Sequence, residues 1–274
     1  MSRAGAPARD CAIYETVWHL KPVSSLRPRR YSEAMAKARK SSKASRGRAR
    51  IQPLVFLRRW TIRIAVISVV VVLGVIAAHR VIEPPRTFYM GQEERRLGGI
   101  RHEWVPMARI APVMARSLVA AEDANFCRHW GFDMAAIRVA IDEGSGRGAS
   151  TLSQQVVKNV YLWHGRSWPR KALEALMTPV VEAVWPKRRI VEVYLNVAEF
   201  EAGVFGVEAA AQHHFGVRAA DLTAVQAARL AAVLPDPKGR SASNPGPFVR
   251  ARTNGIRDGA ATIARDGRAG CFED

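Results

Sequence analysis

Residues 121–133 read AEDANFCRHWGFD, and the two adjacent carboxylates, Glu122 and Asp123, come directly after an apolar run that ends at Ala121. Aromatic residues and Gly131 follow within ten positions, which is typical of a turn between helices. A carboxylate at the end of an apolar helix can be held partly out of water, and this makes it a stronger base. Taken alone, the stretch is more typical of the exposed end of an ordinary helix.

The sequence around this stretch predicts one mainly α-helical domain. Apolar residues make up 48% of the 274 residues, which is enough to form a core. Turns rich in Gly and Pro separate the apolar-periodic segments, and neither an internal repeat nor a strand pattern long enough for a dominant sheet is found. Helical periodicity predicts helices over residues 112–122, 134–142, 151–162, 169–184, 189–196, 204–214 and 223–233.

A second informative stretch, residues 147–159, reads RGASTLSQQVVKN. Ser150 or Thr151 is expected to cap the helix that follows, and helical spacing places Ser150, Gln154 and Lys158 in one row. The row offers a hydroxyl, an amide and an ammonium group to one ligand near a helix N-terminus, which favours anions. A capped surface helix explains the stretch equally well.

A third stretch, residues 166–174, reads RSWPRKALE and brings three cations close to one carboxylate. An ion pair between Arg170 and Glu174, four residues apart, would explain part of it and would contribute only about 0.2–0.5 kcal/mol. Clustered cations also suit a phosphate-bearing leaving group. We therefore keep Arg166, Arg170, Lys171 and Glu174 as candidates.

The N-terminal region carries most of the net charge of +18. Residues 1–59 hold 15 Lys or Arg and 3 Asp or Glu, and they are predicted to form a disordered basic tail. Residues 60–82 are predicted to form a transmembrane helix, with Arg63 and Arg80 near its ends; a buried core helix is the alternative. The positive side of such a span faces the cytoplasm, so the remainder, residues 83–270, is expected on the outer side.

The three cysteines form no recognisable framework. Cys11, Cys127 and Cys271 show neither a CxxC pair nor metal-ligand spacing. We expect no structural disulfide, and Cys11 is expected across the membrane from the other two. Cys127 lies in the first stretch and is a weaker candidate nucleophile than the neighbouring carboxylates.

Together, the three stretches resemble the glycosyltransferase family 51 domain, which is found in class A penicillin-binding proteins and in monofunctional peptidoglycan glycosyltransferases. The likeness covers about residues 100–255 and is closest to the Gram-negative monofunctional type. It has three departures: Glu201 stands for a usual Gly, Pro186 for a usual Ser, and His213-His214 for a basic–aromatic pair. The matching residues are Glu122, Asp123, Phe126, His129, Gly131 and Asp133; Gly148, Ser150, Thr151, Gln154, Gln155, Lys158 and Asn159; Arg170, Lys171 and Glu174; and Lys187, Ile190, Glu192, Tyr194, Leu195 and Asn196.

The resemblance implies a lysozyme-like, two-lobed glycosyltransferase domain preceded by one transmembrane helix. It implies a polymerase that transfers the growing lipid-linked glycan chain onto the 4-hydroxyl of a lipid-linked disaccharide-peptide, lipid II. Polyprenyl pyrophosphate leaves and a β-1,4 linkage forms with inversion. It implies a single-pass protein of the bacterial inner membrane with a periplasmic catalytic domain and no transpeptidase activity.

By position in the matching motifs, Glu122 is the expected general base and Glu174 the expected assistant on the leaving-group side. The expected ligands of sugar and phosphate oxygens are Ser150, Gln154, Gln155, Lys158, Arg166, Arg170 and Lys171. Apolar residues after the first stretch, from Phe132 to Val139, are expected either to enter the membrane interface or to join the core.

No cofactor is expected to be required, although a divalent cation such as Mg²⁺ or Mn²⁺ near the pyrophosphate stays open. The expected partners are lipid II, the growing glycan and inner-membrane lipid, with cell-wall synthesis or division proteins left open. A lytic lysozyme-like hydrolase is one rival interpretation. A nucleic-acid-binding protein is another, suggested by charge alone; the basic tail beside a membrane span argues against it.

Overall fold

A computed structural model describes residues 53–144, 150–165 and 167–273. The predicted ligand Arg166 and the motif residue Gly148 lie outside these ranges. The helices are α1 Pro53–Ala78, α2 Phe88–Leu97, α3 Pro112–Glu122, α4 Met134–Asp142, α5 Leu152–Tyr161, α6 Trp168–Val184, α7 Lys187–Val197, α8 Val207–Phe215, α9 Ala224–Val233, α10 Pro247–Arg265 and α11 Gly270–Glu273. The strands are β1 Arg101–His102, β2 Glu199–Glu201 and β3 Val204–Phe205. The prediction of a mainly α fold is confirmed.

Helix α1 is apolar and exposed along most of its length. Within the described ranges, its segment Leu54–Ala78 is the one helix long and apolar enough to cross a membrane. This fits a single-pass membrane anchor, and the assignment of residues 60–82 as the span stays a prediction.

The end of α1 is held by Trp185, between α6 and α7, and by Arg189 in the first turn of α7. The Trp185 indole nitrogen donates a hydrogen bond to the carbonyl of Ile76 at 2.7 Å. The Arg189 guanidinium donates to the carbonyls of His79 and Ile82 at 3.0 and 2.7 Å. These bonds satisfy carbonyl groups left free at a helix C-terminus, so the last turn of α1 and the chain after it are fixed to the domain.

Two groups of packed helices form most of the core. Helix α3 packs against α9 and α10, and α5 packs against α6 and α7. A Cβ atom at Gly259 of α10 would lie 3.1 Å from the Cβ of Ala120, so glycine allows α10 to approach α3 closely. A small sheet has the order β1-β3-β2, with β1 parallel and β2 antiparallel to β3. Strand β1 lies between α2 and α3 in the chain, and β2 and β3 lie between α7 and α8.

The predicted helices 112–122 and 134–142 match α3 and α4. The prediction of a helix over residues 204–214 is wrong at its start, because β3 occupies Val204–Phe205 and Gly206 adopts a φ of 85° before α8 begins. Helices α2 and α10 were not predicted. Gly255 and Gly259 lower the helix propensity of α10, and packing against α3 and α9 outweighs this cost.

The expectation of no structural disulfide is wrong. Cys127 and Cys271, 144 residues apart, are joined by a disulfide. Sequence spacing gave no sign of the pair, because only the fold brings α11 against the 3-10 turn at Phe126–Arg128. The bond also leaves Cys127 without the free thiol that a nucleophile needs.

Helix α4 exposes apolar side chains and contributes no buried residue. Met134, Val139 and Ile141 are each more than half exposed. The alternative that this segment joins the core is therefore wrong for Met134 and Val139.

Candidate active site

Asp123 joins the first two motifs. Its Oδ2 accepts a hydrogen bond from the backbone nitrogen of Leu152, the first residue of α5, at 3.0 Å. Its Oδ1 accepts from His129 Nε2 at 2.8 Å, and Thr151 Oγ1 donates to the carbonyl of Gly131 at 2.7 Å. The carboxylate of Asp123 is thus used to hold the start of α5 against the end of α3, and this places Glu122 beside α5.

The start of α5 is closed by a capping box. Thr151 Oγ1 accepts a hydrogen bond from the backbone nitrogen of Gln154, and the Gln154 side chain accepts from the backbone nitrogen of Thr151 at 3.1 Å. Of the two predicted caps, Thr151 takes the role. Gln154 therefore has its side-chain oxygen committed to the cap, while Ser150 accepts a hydrogen bond from Lys171 Nζ at 3.2 Å.

Glu122 is held through one carboxylate oxygen only. Gln155 Nε2 donates to its Oε2 at 3.1 Å, and Tyr194 OH donates to Gln155 Oε1 at 3.0 Å. The second oxygen, Oε1, is buried and accepts no hydrogen bond from any described residue. Its nearest cation is Arg252, whose Nη2 lies 3.7 Å away. A buried acceptor without a donor is costly in a folded protein, so this oxygen is suited to bind a ligand hydroxyl.

A cluster of cations surrounds Glu174 on α6. The carboxylate is 2% exposed, and its Oε2 accepts a hydrogen bond from Arg170 Nη1 at 2.7 Å. Its Oε1 accepts from Lys171 Nζ. Each oxygen of Glu174 therefore accepts a hydrogen bond, and the cluster of the three side chains carries two positive charges and one negative charge.

Lys158 adds a third positive charge from α5. Burial lowers the pKa of this lysine, with Arg170 contributing in the same direction, whereas the carboxylate of Glu174 acts against the shift. None of the residues in the described ranges forms a hydrogen bond or ion pair with its ammonium group. Lys158 is consequently a cation available to an anionic ligand.

The three cations and Glu174 line one cleft of about 500 Å³. A second cavity of about 210 Å³ contains Glu122 and meets the cleft at Ser150. The structure thus brings together all the predicted site residues that it describes. Those in the larger cleft are Ser150, Gln154, Gln155, Lys158, Arg170, Lys171 and Glu174.

The sequence of the chain matches the family described as Transglycosylase over residues 91–263. A biosynthetic peptidoglycan transglycosylase of Jannaschia sp. (strain CCS1) is 61% identical over 238 residues, covering 87% of this chain and 99% of the relative. A relative of the same name from Caulobacter vibrioides is 46% identical over 209 residues, covering 74% and 91% of the two chains. The chain belongs to the transglycosylase family. The resemblance drawn from the motifs is thereby confirmed.

Beside the transglycosylase cleft lies a further cavity of about 190 Å³ that sequence reasoning missed, and Tyr89, His164 and Glu199 form one wall of it. His164 stacks on Tyr89 with ring centroids 3.7 Å apart, and Tyr89 OH donates to Glu199 Oε2 at 2.6 Å. Lys238 Nζ donates to Glu93 at 2.8 Å and lies 5.4 Å from the Tyr89 ring. The partners lie 75 to 149 residues apart in sequence, and the only available signal was the Trp-His-Gly turn around His164.

Electrostatics of this wall keep two groups uncharged. Burial and the nearby cations Lys158, Arg170 and Lys238 lower the pKa of His164 to about 4. Burial and the hydrogen bond to Glu199 raise the pKa of Tyr89 to about 12. At neutral pH the wall therefore presents a neutral imidazole and a neutral phenol beside the cations.

The surroundings of Glu174 disfavour a divalent cation at this carboxylate of the transglycosylase. Each of its oxygens already accepts a hydrogen bond from one cation, Arg170 or Lys171, so a metal ion would have to share each oxygen with a positive charge. The three cations of the cleft also repel a further positive charge. We assign no step to a metal ion at this place.

Proposed function

We propose that this chain is a peptidoglycan glycan-strand polymerase that uses lipid II as its acceptor. The 4-hydroxyl oxygen of lipid II attacks the anomeric carbon of the lipid-linked growing chain. The bond between that carbon and the pyrophosphate oxygen breaks, and polyprenyl pyrophosphate leaves. Attack from the side opposite the leaving group inverts the anomeric centre and produces a β-1,4 linkage.

The observation that carries the proposal is the buried Oε1 of Glu122, which accepts no hydrogen bond from a described residue and lies 3.7 Å from the Arg252 guanidinium, beside a cleft lined by cations. As general base, Glu122 takes the proton of the 4-hydroxyl as the new bond forms. Gln155 holds the other oxygen, which fixes the direction in which Oε1 points. The acceptor sugar then occupies the smaller cavity, and the donor occupies the larger one.

The cation cluster is proposed to bind the pyrophosphate. Lys158 offers an ammonium group without a competing partner among the described residues, and Arg170 and Lys171 are held in place by Glu174. Preorganised cations stabilise negative charge as it develops on a leaving group. Glu174 therefore acts by positioning the two cations and limiting their repulsion, with Arg166 as a further phosphate ligand and Ser150 and Gln154 as ligands of sugar or phosphate oxygens.

The membrane is proposed to supply the substrate. Helix α1 anchors the chain, and the exposed Met134, Val139 and Ile141 of α4 enter the interface where the polyprenyl chain lies. The basic residues before α1 favour a cytoplasmic N-terminus, so the catalytic domain lies in the periplasm. The Cys127–Cys271 disulfide supports an oxidising compartment for that domain. We propose that the chain catalyses no transpeptidation, since no penicillin-binding Ser-x-x-Lys set was found in the sequence.

Polymerisation by the full chain in detergent, with purified lipid II as substrate, tests the proposal. We expect long glycan strands from the wild type and at least a hundredfold lower rate from Glu122→Gln, by analogy with the contribution of a general base. Glu94→Gln, which removes a carboxylate from an exposed ion pair with Arg86, is the matched control and should leave the rate unchanged.

Two results would overturn this function. A Glu122→Gln enzyme with nearly full activity would exclude Glu122 as the base. Release of soluble muropeptides from purified sacculi, without polymerisation of lipid II, would favour the lytic hydrolase instead.

A further inference from the structure

Three potential metal ligands meet at the C-terminal end of α8, outside the catalytic cleft. Glu201 is the last residue of β2, and His213 and His214 lie in the last turn of α8. Glu201 Oε2 lies 3.1 Å from His213 Nε2 and 3.4 Å from His214 Nε2. None of the three residues lines the cavities that contain Glu122 and Glu174. The catalytic proposal therefore does not use them.

The cluster offers ligand types that zinc prefers, namely a carboxylate oxygen and imidazole nitrogens. Two separate segments of the chain thus contribute to one small cluster.

The buried imidazole of His214 points to a missing ligand. Its side chain is fully inaccessible to solvent, yet Nε2 forms no hydrogen bond in the part of the chain that the structure describes. Glu201 Oε2 lies 3.4 Å from this nitrogen, outside acceptable hydrogen-bond geometry, and the backbone of Phe200 also lies close to the ring. Buried polar nitrogen atoms nearly always have a partner, and a cation between Glu201 and His214 would supply one.

The spacing of the donor atoms suits a tetrahedral ion. Bonds of about 2.0–2.1 Å to N and O in a tetrahedral zinc site place neighbouring ligand atoms about 3.3 Å apart. The observed separations of 3.1 and 3.4 Å agree with this value. The three donor atoms all lie within 4.8 Å of one another, so a small movement of the exposed His213 ring completes three corners of the tetrahedron.

We propose that Glu201, His213 and His214 bind one Zn²⁺ ion, with water at the fourth corner. The ion would join the end of β2 to the end of α8 and stabilise the fold there. Arg101 competes with it, because its Nη1 lies 2.8 Å from His213 Nδ1. When Zn²⁺ binds Nε2 of His213, the ring proton moves to Nδ1 and the exposed Arg101 side chain turns away.

Zinc binding is measured on the full chain in detergent, purified without a histidine tag, by competition with a chelating dye. We expect one Zn²⁺ per chain and no comparable binding of Mg²⁺, which prefers oxygen ligands. Glu201→Gln should weaken the affinity at least tenfold, and His214→Ala should abolish stoichiometric binding. Arg101→Ala should tighten binding several-fold, because it removes a competing cation.

The matched control is Asp258→Asn, which removes an exposed carboxylate on α10 and should leave zinc affinity unchanged. Glu201→Gly removes a ligand even if His214→Ala misfolds. Thermal unfolding gives a second readout, since Zn²⁺ should raise the midpoint of the wild type but of neither Glu201 variant. Equal zinc affinity in the wild type and in Glu201→Gly, or no binding by the wild type, would overturn the site.

Discussion

Gln155 donates a hydrogen bond to Glu122 across 3.1 Å, between the middle of α5 and the end of α3. The amide uses its nitrogen for this bond, because its oxygen accepts from the buried hydroxyl of Tyr194. Tyr194 therefore determines which way the Gln155 amide faces. A reversed amide would set an oxygen against the carboxylate of Glu122 and repel it.

Tyr194→Phe removes that determinant without changing the shape of the ring. We expect kcat for polymerisation to fall about three- to tenfold with little change in KM, because the base loses orientation while the substrate contacts persist. Steady-state rates over a range of lipid II concentrations separate the two constants. Tyr161→Phe, which removes a hydroxyl beside His79, serves as control. An effect on KM alone would show that Tyr194 contacts substrate instead.

Lys158→Met removes the cation that has no partner among the described residues. We expect kcat/KM to fall at least a hundredfold, equivalent to about 2.7 kcal/mol of transition-state stabilisation. Lys158→Arg should retain part of the activity, because it keeps the charge with a different geometry. Arg257→Met, on the exposed surface, should have no effect. Equal losses in Lys158→Met and Arg257→Met would point to general charge attraction of the anionic substrate.

His164 should make folding stability depend on acidity. Its pKa is about 4 in the folded protein, against about 6.5 in an unfolded chain. Between these values only the unfolded state takes up the proton, so the free energy of unfolding falls as pH drops from 6.5 to 4. Well above pH 6.5 His164 is neutral in both the folded and the unfolded protein, so it no longer changes the free energy of unfolding as the pH rises.

The comparison of wild type with His164→Gln isolates this effect, since carboxylates elsewhere titrate in both proteins. Denaturant unfolding of the full chain from pH 7.5 to pH 4.5 should show a steeper loss of stability in the wild type. Parallel pH profiles would mean that His164 accepts a proton freely in the folded state.

Cys271→Ser removes the disulfide that joins Cys127 to Cys271, 144 positions apart in sequence. The closed loop is long, so its loss is expected to lower the free energy of unfolding by about 3–5 kcal/mol. Thermal unfolding with and without a reductant measures it. Reductant should lower the midpoint of the wild type and leave Cys127→Ser/Cys271→Ser unchanged. A midpoint insensitive to reductant in the wild type would mean that the thiols are not paired.

Local sequence information predicted the parts of the site that lie on single helices. The placement of Gln154 and Lys158 on one helix, and the pairing of Arg170 with Glu174, follow from helical spacing alone, whereas Ser150 precedes the cap of α5 and is not part of a helical row. Glu122 was predicted from its motif, but the hydrogen bonds that hold its Oε2 depend on Gln155 and Tyr194, which only the packing of α5 against α7 brings near. The disulfide and the Tyr89–His164 stack join distant segments, and no local pattern encodes such contacts.

The hydrogen bonds from Trp185 and Arg189 to the end of α1 have a consequence for how the enzyme works at the bilayer. A flexible stalk would let the domain swivel and search a volume around its anchor. If α1 anchors the chain as proposed, these bonds mean that the domain cannot turn freely about the last turn of that helix.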